Sequence, residues 1–249
     1  MVELHTLCRY ADDYLGVSRF RDYAPNGLQV EGRPEVRRIV SGVTASMALI
    51  EAALDLEADA ILVHHGYFWR GESPVVTGIR RRRLKALLAN DVSLIAYHLP
   101  LDAHPELGNN AQLARRLGLK AEAALTAEGI GSIGRSDTAL TLDTLVARIH
   151  GALARAPLAI PAGPESIERI AWCTGAAQGY IDQAAAQGAQ AYVSGEISEQ
   201  TVHAAREAGV HYIAAGHHAT ERYGVQALGE HLAAEWDIEH RFVDIDNPV

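Results

Sequence analysis

Short apolar runs alternate with longer amphipathic stretches along most of the chain, the pattern of strands and helices taking turns. RRIVSGV (37–43) reads as a strand, and ASMALIEAALDLE (45–57) carries apolar residues at helical spacing. DAILV (59–63) is a short, continuously apolar strand of the kind buried in parallel sheets. A helix near 80–89, a strand at 92–97 (VSLIAY) and a helix from about 105 to 117, with Gly118 as its C-cap, follow. Residues 119–136 are less regular, and a helix over 142–153 precedes a Pro/Gly-rich break, IPAGPES. The alternation then restarts, with strands at 168–174, 190–194, 210–215 and 239–245 and helices at 178–187, 198–208 and 220–234. This order predicts an α/β protein, a largely parallel sheet with helices on both faces, in three α/β/α layers.

The restart has the form of an internal duplication. RIVSGVTASMALIEAALDLEADAILVHH, from Arg38, aligns without gaps to RIAWCTGAAQGYIDQAAAQGAQAYVSGE, from Arg169, and the strand-helix-strand pattern matches throughout. A second correspondence follows: VSLIAYHLPLD places His98 four residues before Asp102, and VHYIAAGHHATE places His217 four residues before Glu221. Two similar, interlocked α/β halves are expected, with an approximate boundary between 1–125, carrying His64, His65 and Asp102, and 126–249, carrying His217 and Glu221.

Nearly half of the 249 residues are apolar, enough for a sizeable core, and the net charge of −9 argues against general nucleic-acid binding. The N-terminus lacks the basic and apolar regions of a signal peptide, and no apolar run is long enough to span a bilayer. Two distant cysteines, Cys8 and Cys173, fit a reducing compartment, so a cytoplasmic location is expected.

Histidine changes the picture. Several of the 12 sit in tight groups, and each group falls where an apolar strand ends: His64 and His65 after DAILV, His98 after VSLIAY, His217 after VHYIAAG. Asp102, Glu221 and Glu196 lie at the same ends, and open α/β sheets bind ligands outside the carboxyl ends of their strands. Imidazole with carboxylate suits Zn, Mn or Fe, and a carboxylate such as Glu221 can bridge two ions. Adjacent His64 and His65 leave a regular strand in opposite directions, so each could serve a different ion. For His98, direct ligation and a supporting or proton-shuttling role both fit, and His98 or Glu196 could move protons. His104, His203, His211 and His218 read as packing or surface residues.

Other signals carry less. Gly129-Ile130-Gly131-Ser132-Ile133-Gly134 spells a dinucleotide fingerprint outside its strand-to-helix context, so it reads as a glycine-rich turn. Arg80–Arg83 could grip phosphate, but four consecutive residues point all around a helix. No P-loop and no G-x-S-x-G is present.

DYAPNGLQVEG (22–32), SGVTAS (41–46), ADAILVHHGYFWRGESP (58–74), YHLPLDAHPELGNNAQLA (97–114), SGEISEQ (194–200) and AAGHHATER (214–222) resemble the Nif-three-like family, also described as the type 2 GTP cyclohydrolase I family. The resemblance covers nearly the whole chain and is closest to the short bacterial YbgI-type members. It implies a dinuclear centre of two divalent metal ions, with ligand roles for His64, His65, Asp102, His217 and Glu221, and Glu221 as the bridge. It also implies a toroidal homohexamer, a trimer of dimers, and hydrolytic opening of the guanine ring of GTP. The function expected is that of a dinuclear metal-dependent hydrolase acting on a nucleotide or related phosphorylated small molecule. The alternatives are a metal-dependent phosphoesterase, with Arg80–Arg83 positioning phosphate, and a non-catalytic metal-binding scaffold or partner-binding ring.

Overall fold

β-Branched and apolar runs become strands at nearly every place where the sequence alternation puts one. In the computed structural model, which describes residues 1–249, β1 (Val2–Glu3), α1 (Leu4–Leu15), β2 (Gly27–Val30), β3 (Glu35–Val36), β4 (Arg38–Thr44), α2 (Met47–Asp55), β5 (Ala60–His65), α3 (Gly78–Ala89), β6 (Ser93–Ala96) and α4 (Leu99–Ala103) come first. α5 (Asn109–Leu117), β7 (Leu119–Ala124), β8 (Ser132–Leu140), α6 (Leu142–Leu153), β9 (Leu158–Ile160), β10 (Ile167–Cys173), α7 (Ile181–Ala186), β11 (Ala191–Ser194), α8 (Glu199–Ala208), β12 (His211–Ala214), α9 (His217–Trp236) and β13 (Glu239–Phe242) follow. α2 is started by Ser46, whose side chain accepts the Leu49 amide, and α5 ends at Gly118 in the left-handed conformation. No helix is long and apolar enough to cross a membrane.

The chain builds two units, Met1–Leu101 with Gly224–Asp246, and Asp102–Tyr223 with Asn247–Val249. The thread therefore leaves the first unit within α4 and returns to it within α9. This differs from the simple division at 125 in two places, and packing explains both. Leu113, Leu117 and Leu119 bury against Ile149, Ile170 and Trp172, so residues after Asp102 join the second unit. β13 pairs in parallel with β4, Glu239 opposite Arg38, so the end of α9 and the strand after it join the first.

The first unit carries a five-stranded sheet of order β13-β4-β5-β6-β2, parallel except for β2. The second carries six strands, β7-β8-β10-β11-β12-β9, in which only β10, β11 and β12 run parallel. A largely parallel sheet is thus correct for one unit and half correct for the other. β7 and β8 arise from the stretch 119–136 that shows little periodicity; β7 lies at the sheet edge with exposed residues from Lys120 to Ala124, which removes the alternation a reader relies on. Within the central strands both alternating sets are buried: Ile39 and Val40, and likewise Ala171 and Trp172, are fully covered.

The correspondence drawn from the sequence repeat reappears in the register. Ile39 faces Ala60 in the first unit, and their counterparts Ile170 and Ala191 face each other in the second. Antiparallel β2 flanks β6 as antiparallel β9 flanks β12. The match extends to one side-chain device. Asp59 Oδ2 accepts the Arg37 and Arg38 amides at 2.7 and 3.0 Å. Gln190 Oε1, at the matching position, accepts the Glu168 and Arg169 amides at 2.7 and 2.9 Å.

Candidate metal centre

In the first unit, β5 ends in His64 and His65, and β6 is followed at once by Tyr97 and His98. Parallel pairing of β5 with β6 brings the two strand ends together. One ring nitrogen from each of His64, His65 and His98 lies within 4.8 Å of the others. Each ring is fixed through Nδ1. His64 donates from Nδ1 to the Tyr97 carbonyl at 2.8 Å, His65 Nδ1 meets the Thr44 hydroxyl at 3.2 Å, and His98 Nδ1 meets Asp22 Oδ1 at 2.7 Å. A carbonyl only accepts, so His64 Nδ1 carries a proton, and in the neutral ring the lone pair is on Nε2. Asp22 is anchored in turn by the Asn26 side chain and the Leu99 amide. Burial would raise its pKa, but hydrogen bonds from His98 and Asn26 outweigh that and hold it down at about 2.

In the second unit the groups gather at the carboxyl ends of β10, β11 and β12. His217 opens α9, and Glu221 lies one turn later, which sets both side chains on one face with His217 Nε2 3.1 Å from Glu221 Oε2. Glu196, just past β11, takes His217 Nδ1 at 2.7 Å. Burial alone would lower the pKa of His217, but its hydrogen bonds and charge interactions with Glu221 and Glu196 raise it to about 9. A carboxylate oxygen of Asp102 lies within 4.8 Å of one of Glu221. Both acids are deeply buried, at 7% and 3% exposure. Asp102 Oδ1 accepts from the Asn109 side-chain Nδ2 at 2.8 Å and lies 3.4 Å from the Thr174 hydroxyl.

Close backbone approach makes room for Glu221. Gly175 has φ +70°, and a Cβ there would stand 2.2 Å from Glu221 Oε1. Its amide donates to Thr220 Oγ1 at 3.1 Å, and the Ser194 hydroxyl donates to its carbonyl at 3.2 Å, so this backbone is pinned against the start of α9.

Of the candidate ligands, His64 and His65 close a strand, His98, Glu196 and His217 follow one, and Asp102 and Glu221 lie in the helices that come next. His64, His65 and His98 meet in one unit, and Asp102, Glu196, His217 and Glu221 neighbour one another in the other. Asp22, Asn26, Asn109, Thr174 and Gly175 were missed. Asp22 and Asn26 stand inside the family-like segment DYAPNGLQVEG, but nothing local ties Asp22 to a histidine 76 residues away. His211 and His203 do the structural work expected of them, His211 accepting the Ala162 and Gly163 amides and His203 pairing with Glu199. Arg80 pairs with Glu72 and the Ser73 carbonyl of the preceding loop. Gly129 and Gly131 adopt positive φ in the turn between β7 and β8, as a glycine-rich turn requires.

The donor set passes a chemical test for divalent metal. Imidazoles held through Nδ1 by a carbonyl or carboxylate, as His64 and His217 are, with His217 Nε2 beside the buried Glu221, are the arrangement that orients metal-binding histidines. Two α/β units whose strand ends carry such groups define a class of α/β protein able to bind metal. The chain belongs to the Duf34/NIF3 (NGG1p interacting factor 3) family, whose model matches residues 2–248. It is 59% identical over 250 residues to a Pseudomonas aeruginosa protein named GTP cyclohydrolase 1 type 2 homolog, with 99% of each chain covered. A protein of the same name from Allochromatium vinosum is 58% identical, with 100% of this chain and 98% of that one covered. Among solved structures, one described as protein ybgI of unknown function has a TM-score of 0.97 at 50% identity, with both chains fully covered. A second, TTHA1606 from Thermus thermophilus, has a TM-score of 0.93 at 34% identity, again with both chains fully covered.

Proposed function

We propose that this chain is a cytoplasmic dinuclear metal-dependent hydrolase acting on a nucleotide or related phosphorylated small molecule, in which His64, His65, Asp102, His217 and Glu221 would hold two divalent ions. The observation that carries the reading is the anchoring of the histidines: Nδ1 of His64, His65 and His217 is taken by a carbonyl, a hydroxyl and a carboxylate. Asp102 and Glu221 are buried acids that approach each other within 4.8 Å, a placement that divalent charge would stabilise. Such ions supply positive charge that polarises a scissile group and acidifies water. The chain's own contribution is orientation. Glu196 fixes the His217 ring, and Asn109 and Thr174 fix Asp102. His98, pinned by Asp22 through Nδ1, has Nε2 as the atom that exchanges a proton with substrate. The name carried by the relatives, GTP cyclohydrolase 1 type 2 homolog, supports opening of a purine ring as the particular reaction. The same reading includes assembly as a homohexameric ring, a trimer of dimers, which light scattering of the native protein tests.

The test is metal content of protein purified without chelators, paired with nucleotide turnover followed by purine absorbance. Two ions per chain, reduced in Asp102→Ala and Glu221→Ala, and turnover lost in both variants, are expected. Metal-loaded protein that turns over no nucleotide refutes the hydrolase reading, and variants with undiminished metal refute the ligand set.

A further inference from the structure

Beside the three histidines of the first unit stand aromatic rings that the core does not need. Trp69 lies in the loop between β5 and α3, its ring 5.0 Å from the His98 ring and nearly perpendicular to it, and 5.9 Å from the His65 ring. The Tyr23 ring lies 5.7 Å from His98 and is 51% exposed. Fully buried aromatics such as Tyr97 and Trp172 already fill the cores, so a half-exposed phenol against an imidazole is not core filling.

The loop is held in this shape at some cost. Phe68 has φ +65°, a conformation that bulky residues avoid and that persists only when the surroundings impose it. Those surroundings are visible. The Tyr67 amide donates to Gln29 Oε1 at 2.6 Å and its hydroxyl to the Ala45 carbonyl at 2.7 Å. The Arg70 amide donates to the Tyr23 carbonyl at 2.6 Å, and its guanidinium to the Asp22 carbonyl at 2.9 Å. The same bonds therefore position Trp69 and Tyr23 together, alongside the aspartate that pins His98. Trp69 also donates its indole N–H to the Gly66 carbonyl of its own loop at 3.2 Å. With that donor engaged, the ring has only its π surface to offer a ligand.

We infer that Trp69 and Tyr23 form a stacking wall for a planar heteroaromatic ring, the purine base of a nucleotide, beside His65 and His98. This deepens the nucleotide reading of the same centre and rests on it. Stacking suits such a site because every base has a π face, so affinity comes from the ring as a whole and tolerates changes at its edge. Rigid presentation strengthens it, because little side-chain freedom remains to be lost on binding.

Binding to the metal-loaded full chain tests the wall, with GMP, AMP and ribose 5-phosphate as probes, read by calorimetry and by quenching of tryptophan fluorescence. GMP and AMP are expected to bind more tightly than ribose 5-phosphate and to quench. Trp69→Ala should weaken both nucleotides by about 5- to 150-fold, the range for loss of one stacked base, and leave ribose 5-phosphate and metal content unchanged. Trp69→Phe, which keeps a stacking face, should retain the preference. Equal binding of GMP and ribose 5-phosphate by the wild type, or equal weakening of both in Trp69→Ala, overturns the inference. Turnover is not the readout. A chain that prefers GMP but hydrolyses nothing keeps the wall and loses only the hydrolase reading, whereas hydrolysis without base preference does the reverse.

Discussion

Replacing Gly175 by alanine probes a crowded point of the second unit. Two effects are expected, and they can be separated. The backbone at Gly175 sits at φ +70°, where an L side chain costs roughly 1–2 kcal/mol. For a chain of this size that corresponds to a fall in Tm of roughly 2–8 °C. The new Cβ would also stand 2.2 Å from Glu221 Oε1 and 3.3 Å from His217 Nε2. The backbone cannot yield easily, because Thr220 and Ser194 both hydrogen-bond to Gly175, so the carboxylate must turn away. Displacing one ligand in this way should lower metal affinity by about 10- to 100-fold or more, the range found for disturbed metal surroundings. Gly188→Ala is the control. It has φ +78° with its nearest neighbour at 4.0 Å, so it meets the same backbone strain with no clash. Thermal melts of chelated protein should show similar losses for both variants, while metal titration should single out Gly175→Ala. If the two variants bind metal equally well, Glu221 is not a ligand or its position does not matter, and the reasoning fails.

In the metal-free protein, His217 has a pKa raised to about 9, above the ordinary 6.5. Its protonated form therefore stabilises the fold fully below pH 6.5 and loses that contribution as pH rises through 9. Metal loading must expel this proton, so metal affinity should climb between those values with proton release, measurable by calorimetry in buffers of different ionisation enthalpy; Glu196→Gln should shrink the effect. Asp59→Ala leaves the Arg37 and Arg38 amides without their acceptor and should cost about 1–3 kcal/mol in urea denaturation, whereas Asp59→Asn, which keeps a carbonyl oxygen as Gln190 does in the second unit, should recover most of it. Trp172→Ala empties a fully buried site and removes the indole bond to the Asn110 carbonyl, so a loss of about 3–5 kcal/mol is expected from chemical denaturation.

Local chemistry determined much of this protein. Apolar runs such as DAILV mark strands wherever burial on both faces needs them, and α6 spans Leu142–Leu153 as its apolar spacing predicts. The repeat from Arg38 and Arg169 foretells the matching registers, because the residues that face the core recur at the same intervals. Histidines and acids at strand ends are also legible, since strand ends can be read from where apolar runs stop. The tertiary structure alone decided which core each amphipathic segment joins: α5 follows Asp102 into the second unit, and β13 rejoins β4 from 201 residues away, as the Arg38–Glu239 pair records. It alone decided which groups fix the candidate ligands. Tyr97 lends His64 a backbone carbonyl, which any residue could supply, and Asp22 meets His98 from 76 residues away along the chain. Backbone acceptors and distant partners leave no local periodicity, so only the folded chain reveals which imidazole nitrogen is held and which is presented.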